Sequence, residues 1–222
     1  MVKRIILIGL LAGISSLALA QLRIESQFRI GRLKYNGGGD WYNDPSAEPN
    51  LLAFILQNTV IDCDTKYEFV DLASDKLASY PFLFLTGHGN ILFSQYEVQR
   101  MRQYLQGGGF LYADDDYGMD KAFRREMKKV FPDADIVELP YNYGLFHCHF
   151  EFPTGVPKTH EHDGKPGQTF GIFYQGRLVV LYTYESNPSD GWADAVVHGD
   201  PELARQQALK FGTNIVVWSL TH

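Results

Sequence analysis

GGGFLYADDD, residues 107–116, stops a helix, lays down a strand and tips that strand with three carboxylates. The run before it carries Val98, Met101 and Leu105 at helical spacing. Ser94 and Glu97 stand three apart, as a capping box at a helix start requires. The glycines end that helix near Gln106. Phe110–Ala113 is then short and apolar, and reads as a strand. In an open α/β sheet, ligands collect beyond the carboxyl ends of strands, and Asp114, Asp115 and Asp116 stand at such an end. Three adjacent carboxylates repel one another, so the tip marks a candidate ligand site. Successive strand residues point to opposite faces, so at most two of the three share one pocket easily. The triplet also suits a structural part, in which one Asp caps the next helix and the others are solvated.

Working outward, Pro81–Leu85 (PFLFL) is a continuous apolar run, as a strand buried on both faces requires. It ends in Thr86-Gly87-His88-Gly89. Phe28–Tyr35 alternates apolar and polar residues and predicts a first strand, broken by NGGGD at Asn36–Asp40. Leu51, Leu52, Ile55 and Leu56 predict a helix over 50–59, and 67–72 predicts a second strand. A helix over 120–131, stopped by Pro132, precedes a strand over 135–139. This alternation predicts an α/β fold with a mainly parallel sheet, helices on both faces and right-handed crossovers. Loops with Pro153, Pro157 and Pro166 follow. Runs 169–174 and 177–184 flank Gln175-Gly176 as a hairpin. Residues 187–200 read as a loop, and a closing helix runs from Pro201 to about Leu220.

Residues 1–20 read as a secretory leader. Lys3 and Arg4 precede an apolar run, Ile5–Leu19, and Ala18-Leu19-Ala20 is an A-x-A cleavage site. The run is shorter than the roughly 20 residues that span a bilayer, and no lipid-accepting cysteine follows it. Cleavage predicts a periplasmic or secreted bacterial protein with no stable membrane insertion. It leaves a single domain over 28–222, enough for a sizeable core. Cleavage removes two basic residues, taking the formal charge from −6 to −8. That balance argues against a nucleic-acid partner and leaves a small molecule or a protein outside the cytoplasm. Cys63 and Cys148 are able to pair in an oxidising compartment, but spacing alone does not decide it.

Four constellations carry candidate chemistry. The first is Asp114–Asp116, as a metal site or an acid/base pair. The second is the glycine turn at Gly87 and His88, where backbone amides approach a ligand; a tight turn with an exposed histidine is its plain alternative. The third is Asn36–Tyr42 (NGGGDWY), where Gly38, Gly39, Asp40 and Trp41 suit a ligand loop. It lacks the Walker lysine and the dinucleotide glycine spacing, and a simple turn also explains it. The fourth is histidine-rich: His147 and His149 flank Cys148, and His160-Glu161-His162-Asp163 repeats the spacing. His160 and His162 with nearby carboxylates suit a transition metal; surface or core-satisfied histidines are the alternative. No HExxH or G-x-S-x-G motif is present. The sequence assigns no cofactor.

Ordered stretches carry a resemblance: RLKYNGGGDWY (32–42), FLFLTGHGN (82–90), YLQGGGFLYADDDYG (104–118), HEHDGKPGQ (160–168), GIFYQGRLVVLYTYES (171–186), DGW (190–192) and GTNIVVWSL (212–220). Together they resemble the bacterial family of domain of unknown function 4159, over about 28–222. More distantly the chain is similar to the class I glutamine amidotransferase-like superfamily. That resemblance implies a three-layer flavodoxin-like fold with a C-terminal β-hairpin plus helix. Catalytic members of the superfamily carry a cysteine after the strand matching 110–113; here Asp114 or Asp115 stands there, so amidotransferase chemistry is not implied. Two functions follow. One is a non-catalytic domain binding a ligand or partner. The other is a metal-assisted hydrolase, acting on carbohydrate for instance.

Overall fold

The computed structural model describes residues 27–222, and the leader read at 1–20 lies outside them. β1 (Ile30–Lys34), β2 (Glu68–Asp71), β3 (Phe82–Leu85) and β4 (Phe110–Asp114) are mutually parallel neighbours in the order β2-β1-β3-β4. β7 (Arg177–Tyr184) joins the far edge of β4, also parallel. β6 (Gln168–Tyr174) returns antiparallel to β7, and the two-residue β5 (Val137–Glu138) pairs antiparallel with β6. β4 thus lies at the centre of seven strands, ordered β2-β1-β3-β4-β7-β6-β5.

Five helices complete the layers: α1 (Ala47–Asn58), α2 (Gln95–Gln106), α3 (Asp120–Val130), the one-turn α4 (Ala195–His198) and α5 (Glu202–Thr221). The period-2 alternation of the central strands builds two cores. Phe82, Phe84, Phe110 and Tyr112 pack with Leu51, Ile55, Phe211 and Ile215 of α1 and α5. Leu83, Leu85, Leu111 and Ala113 pack with Met101, Leu105, Phe123 and Met127 of α2 and α3. Each such buried apolar side chain contributes about 1.5–3 kcal/mol relative to exposure. The result has the three layers of a flavodoxin-like fold, with the hairpin and closing helix at the C-terminal end. The capping box of α2 is present, with Ser94 Oγ accepting from Glu97 N and Glu97 Oε2 accepting from Ser94 N. Among the described residues, no helix is long and apolar enough to cross a membrane.

Four elements differ from the sequence reading, one being the stretch 187–200, read as a loop, where a 3-10 turn (Asp190–Trp192) and the one-turn α4 form. The strand expected at 135–139 shrinks to two exposed residues at an antiparallel edge; Pro140 and the acids around it suit an edge rather than a parallel interior. α1 begins at Ala47, before Pro49, because proline is tolerated in a first turn. The alternation in β1 does not mark a half-exposed strand. Arg32 is fully buried and pairs with the equally buried Glu48 of α1. The same guanidinium donates to the carbonyls of Asn43 and Asp44 and so fixes the loop after β1.

Candidate metal centre at the strand ends

The glycine turns and the acidic tip meet on one rim. Tyr35, just past β1, donates its hydroxyl to Thr86 O at 3.0 Å. That ring fills the space a Cβ would need at Gly39 and Gly87, 2.7 and 2.5 Å from the hydroxyl, so both turns close only with glycine. Asp40 Oδ1 then accepts from His88 N at 2.5 Å, and its Oδ2 lies 3.0 Å from His88 Nδ1. These bonds hold Asp40 below the usual carboxylate range, against the burial that raises it. His88 Nδ1 also lies 3.2 Å from Asp116 Oδ2. The NGGGD turn, the GHG turn and the DDD tip are thereby tied together.

The three aspartates take three parts. Asp114 is fully buried and accepts from Thr183 Oγ1 at 2.5 Å and Ser189 N at 2.8 Å. Burial outweighs these bonds and pushes it up to about 7. Asp115 turns to the opposite side and accepts from Met119 N at 2.8 Å, before α3; burial raises it to about 6. It braces the residue before the helix without capping the helix, whose N-cap is Met119 with no side-chain cap, and all three acids are buried rather than solvated. Asp116 faces a cavity of about 510 Å³, whose lining includes His88, His160, Asn187, Asp190 and His198. Asn187 Nδ2 donates to its Oδ1 at 2.9 Å, and Asn43 Nδ2 donates to its Oδ2.

The loop after β7 supplies the other half of the site. Trp192 anchors it, its ring tilted against Phe84 and Tyr112 and its indole N–H donating to Ala208 O at 2.9 Å. Asn50 of α1 donates to Trp192 O and to Asp194 Oδ1, both at 2.9 Å. Asp190, just before Trp192, is 3% exposed. Its Oδ2 lies 2.7 Å from His160 Nδ1 and 3.9 Å from His198 Nδ1. The other nitrogen of each ring meets a second carboxylate: His160 Nε2 lies 2.8 Å from Asp200 and His198 Nε2 lies 2.9 Å from Asp44. His160, Asp190 and His198 bring one ligand atom each within 4.8 Å of one another, and so do Asp44, Asp116 and Asp190. Asp44 and Asn187 both adopt left-handed backbone, with φ of 45° and 43°. Such strain persists where surrounding contacts impose it.

Electrostatics follow from this crowding. The hydrogen bond to Asp190 pushes His160 up to about 9. Burial and the charges of Asp190, Asp114 and Asp44 raise Asp116. Burial also works against Asp190, but bonds from His160 and Asn187 and the charge of His198 hold it low. Of this pair Asp116 is therefore the readier to hold a proton, since two imidazoles, His160 and His198, face Asp190 and only His88 faces Asp116.

Other predicted residues fall elsewhere. His162 lines the same cavity but stacks edge-on with Tyr117, with ring centres 5.1 Å apart. His160 thus partners His198 rather than His162. Trp41 packs against Phe69 at 5.0 Å and does not line the cavity. Gly38 opens onto free space. His147 pairs with Glu151 at 2.5 Å, and His149 contacts Asn58 O at 3.1 Å, both outside the cavity. Cys63 and Cys148 are both free thiols. Sequence reasoning missed Asn43, Asp44, Asn187, Asp190, His198 and Asp200. The signals were the run-on of NGGGDWY into Asn43-Asp44, the DGW stretch at 190–192, and the acids and histidine of 190–200. A cavity of about 560 Å³ beside the end of α3 has Asp133 as its one carboxylate.

No curated protein matches this chain. Residues 29–220 match the family described as Domain of unknown function (DUF4159), and the chain belongs to that family.

Proposed function

We propose that this protein is an exported metal-dependent hydrolase whose ion is held by His160, His198 and Asp190. The convergence of these three ligand atoms within 4.8 Å carries the reading. Two imidazoles and a carboxylate suit zinc and neighbouring transition metals, and three protein ligands leave a position for water or substrate. A divalent ion in such a site supplies Lewis acidity and lowers the pKa of bound water.

The chain supplies the remaining parts. Asp200 and Asp44 hold the outer nitrogens of His160 and His198, which fixes the ring orientations. His88, oriented by Asp40 and 54% exposed at the cavity, is placed to exchange a proton with a reacting group. Among the described residues, no serine, threonine or cysteine lines this cavity, so water is the nucleophile the site favours. Tyr117, 53% exposed, offers a flat ring beside it, which suits a sugar face. Export rests on Lys3, Arg4, the apolar run to Leu19 and the Ala18-Leu19-Ala20 site.

A binding role without turnover is the second reading. It is favoured by the acid, Asp114 or Asp115, that stands where the amidotransferase-like resemblance expects a nucleophilic cysteine. The deciding experiment strips the protein with chelator, restores zinc or manganese, and assays phosphoester, carboxyl ester, amide and glycoside reporters. The hydrolase reading expects turnover that vanishes on stripping, returns with metal, and is lost in His160→Ala. His88→Ala is expected to keep the ion and lose rate. A bound ion with no turnover on any class moves the assignment to binding.

A further inference from the structure

The cluster holds more ligand atoms than one ion requires. Asp44, Asp116 and Asp190 form a second converging group, within 4.8 Å, and Asp190 belongs to both. We infer that the centre is binuclear: a second divalent cation lies between Asp44, Asp116 and Asp190, and Asp190 bridges the two ions. This inference rests on the metal reading of the same site.

Three carboxylates converge here with little water to screen them, since Asp116 is 4% and Asp190 3% exposed. Among the described residues, none of the three makes an ion pair with lysine or arginine; their partners are His88, His160 and His198. Arg32 reaches only the backbone carbonyl of Asp44.

Unused acceptor oxygens point independently to a ligand. Oδ1 of Asp190, Oδ1 of Asn187 and Oδ1 of Asn43 are buried without a hydrogen-bond partner. Asn187 is 1% exposed and lines the cavity beside Asp190. Its Nδ2 is committed to Asp116 at 2.9 Å and Asp190 at 3.1 Å. Turning the amide over would set its oxygen against two carboxylates, so Oδ1 stays the free atom. A buried polar atom without a partner costs about 1–3 kcal/mol, and a cation would satisfy an oxygen that no donor reaches. Carboxylates with neutral amide oxygens are a hard ligand set, suited to magnesium, manganese or calcium. The histidine-bearing position beside it suits a softer ion. Paired ions about 3.5–4 Å apart clamp both the attacking and the leaving oxygen of a displacement.

The test uses the full chain, stripped and then dialysed against manganese, with metal content and low-temperature electron paramagnetic resonance as readouts. Two ions per chain and an exchange-coupled spectrum are expected. Asp116→Asn and Asp44→Asn, the latter keeping a side-chain oxygen to hold His198, should each retain one ion and show the isolated six-line spectrum. Circular dichroism checks that each variant folds. Asp44, more exposed than Asp116, carries the test if Asp116→Asn does not fold. One ion in the wild type, unchanged in both variants, overturns the second position and leaves the first standing. No bound ion in the wild type overturns both.

Discussion

The tip of β4 separates two acid-lined cavities. On the Asp116 side, carboxylates and imidazoles from the segments after β1, β4, β5 and β7 converge on common points. On the Asp115 side, a cavity of about 310 Å³ is lined by Asp115, Asp120, Asp163 and Glu185 together with Lys121. Among the described residues, no three ligand atoms converge there. Its acids are engaged in structural work. Asp115 accepts from Met119 N, Asp120 pairs with Arg124 at 2.7 Å, and Glu185 accepts from Asp163 N at 3.1 Å. The two sides show that acidity alone marks a rim. A site needs side chains from separate loops, each held by partners of its own, aimed at one place.

The strongest way to break this contrast is to remove the shared ligand. Asp190→Ala should abolish transition-metal binding, a loss of at least about 100-fold. Isothermal titration of wild type and variant measures it. Unchanged affinity would put the ion elsewhere.

The next effect is on the stability of metal-free protein. Asp114 and Asp115 have folded-state pKa values raised to about 7 and about 6. Their unfolded values lie near 3.8. The folded state therefore keeps protons that the unfolded state releases. Stability should fall as pH rises from about 4 to 7, by on the order of a few kcal/mol. Urea unfolding across that window tests the slope, and Asp114→Asn should remove the larger share. A stability that rises with pH would refute the assignment.

Asp200→Asn sharpens the contrast more finely. It leaves every proposed ligand in place but weakens the orientation of His160, so affinity should drop about 10–100-fold. The smallest effect belongs to the other side of the tip. In acid, where its carboxyl is protonated in both folded and unfolded states, Asp115→Ala leaves Met119 N without its partner and should cost about 1 kcal/mol of stability, with ion affinity unchanged. A loss of affinity in that variant would mean that the two cavities are not independent.

The sequence displayed the scaffold better than the chemistry, for physical reasons. The apolar runs of β3 and β4, the Ser94–Glu97 cap and the glycine stop at 107 are local signals, and each marks an element the structure contains. The rim was legible too, because NGGGD, TGHG and DDD follow directly on strands. Asp190 and His198 were not. Asp190 lies in a short turn and His198 ends the one-turn α4, a stretch without periodicity that Trp192 places through long-range packing on Phe84 and Tyr112. His160 and His162 are adjacent enough in sequence to suggest a pair, yet their rings take different partners, His198 and Tyr117. Arg32 escaped notice because a buried ion pair imitates the polar half of an alternating strand.

The most direct measurement is a crystal structure of the zinc-loaded protein with anomalous data at the zinc edge. The account predicts a peak about 2.0–2.1 Å from a nitrogen of His160 and of His198, with Asp190 completing the protein ligands. A peak in the Asp115 cavity or beside His147 and Glu151, or no peak at all, would contradict it.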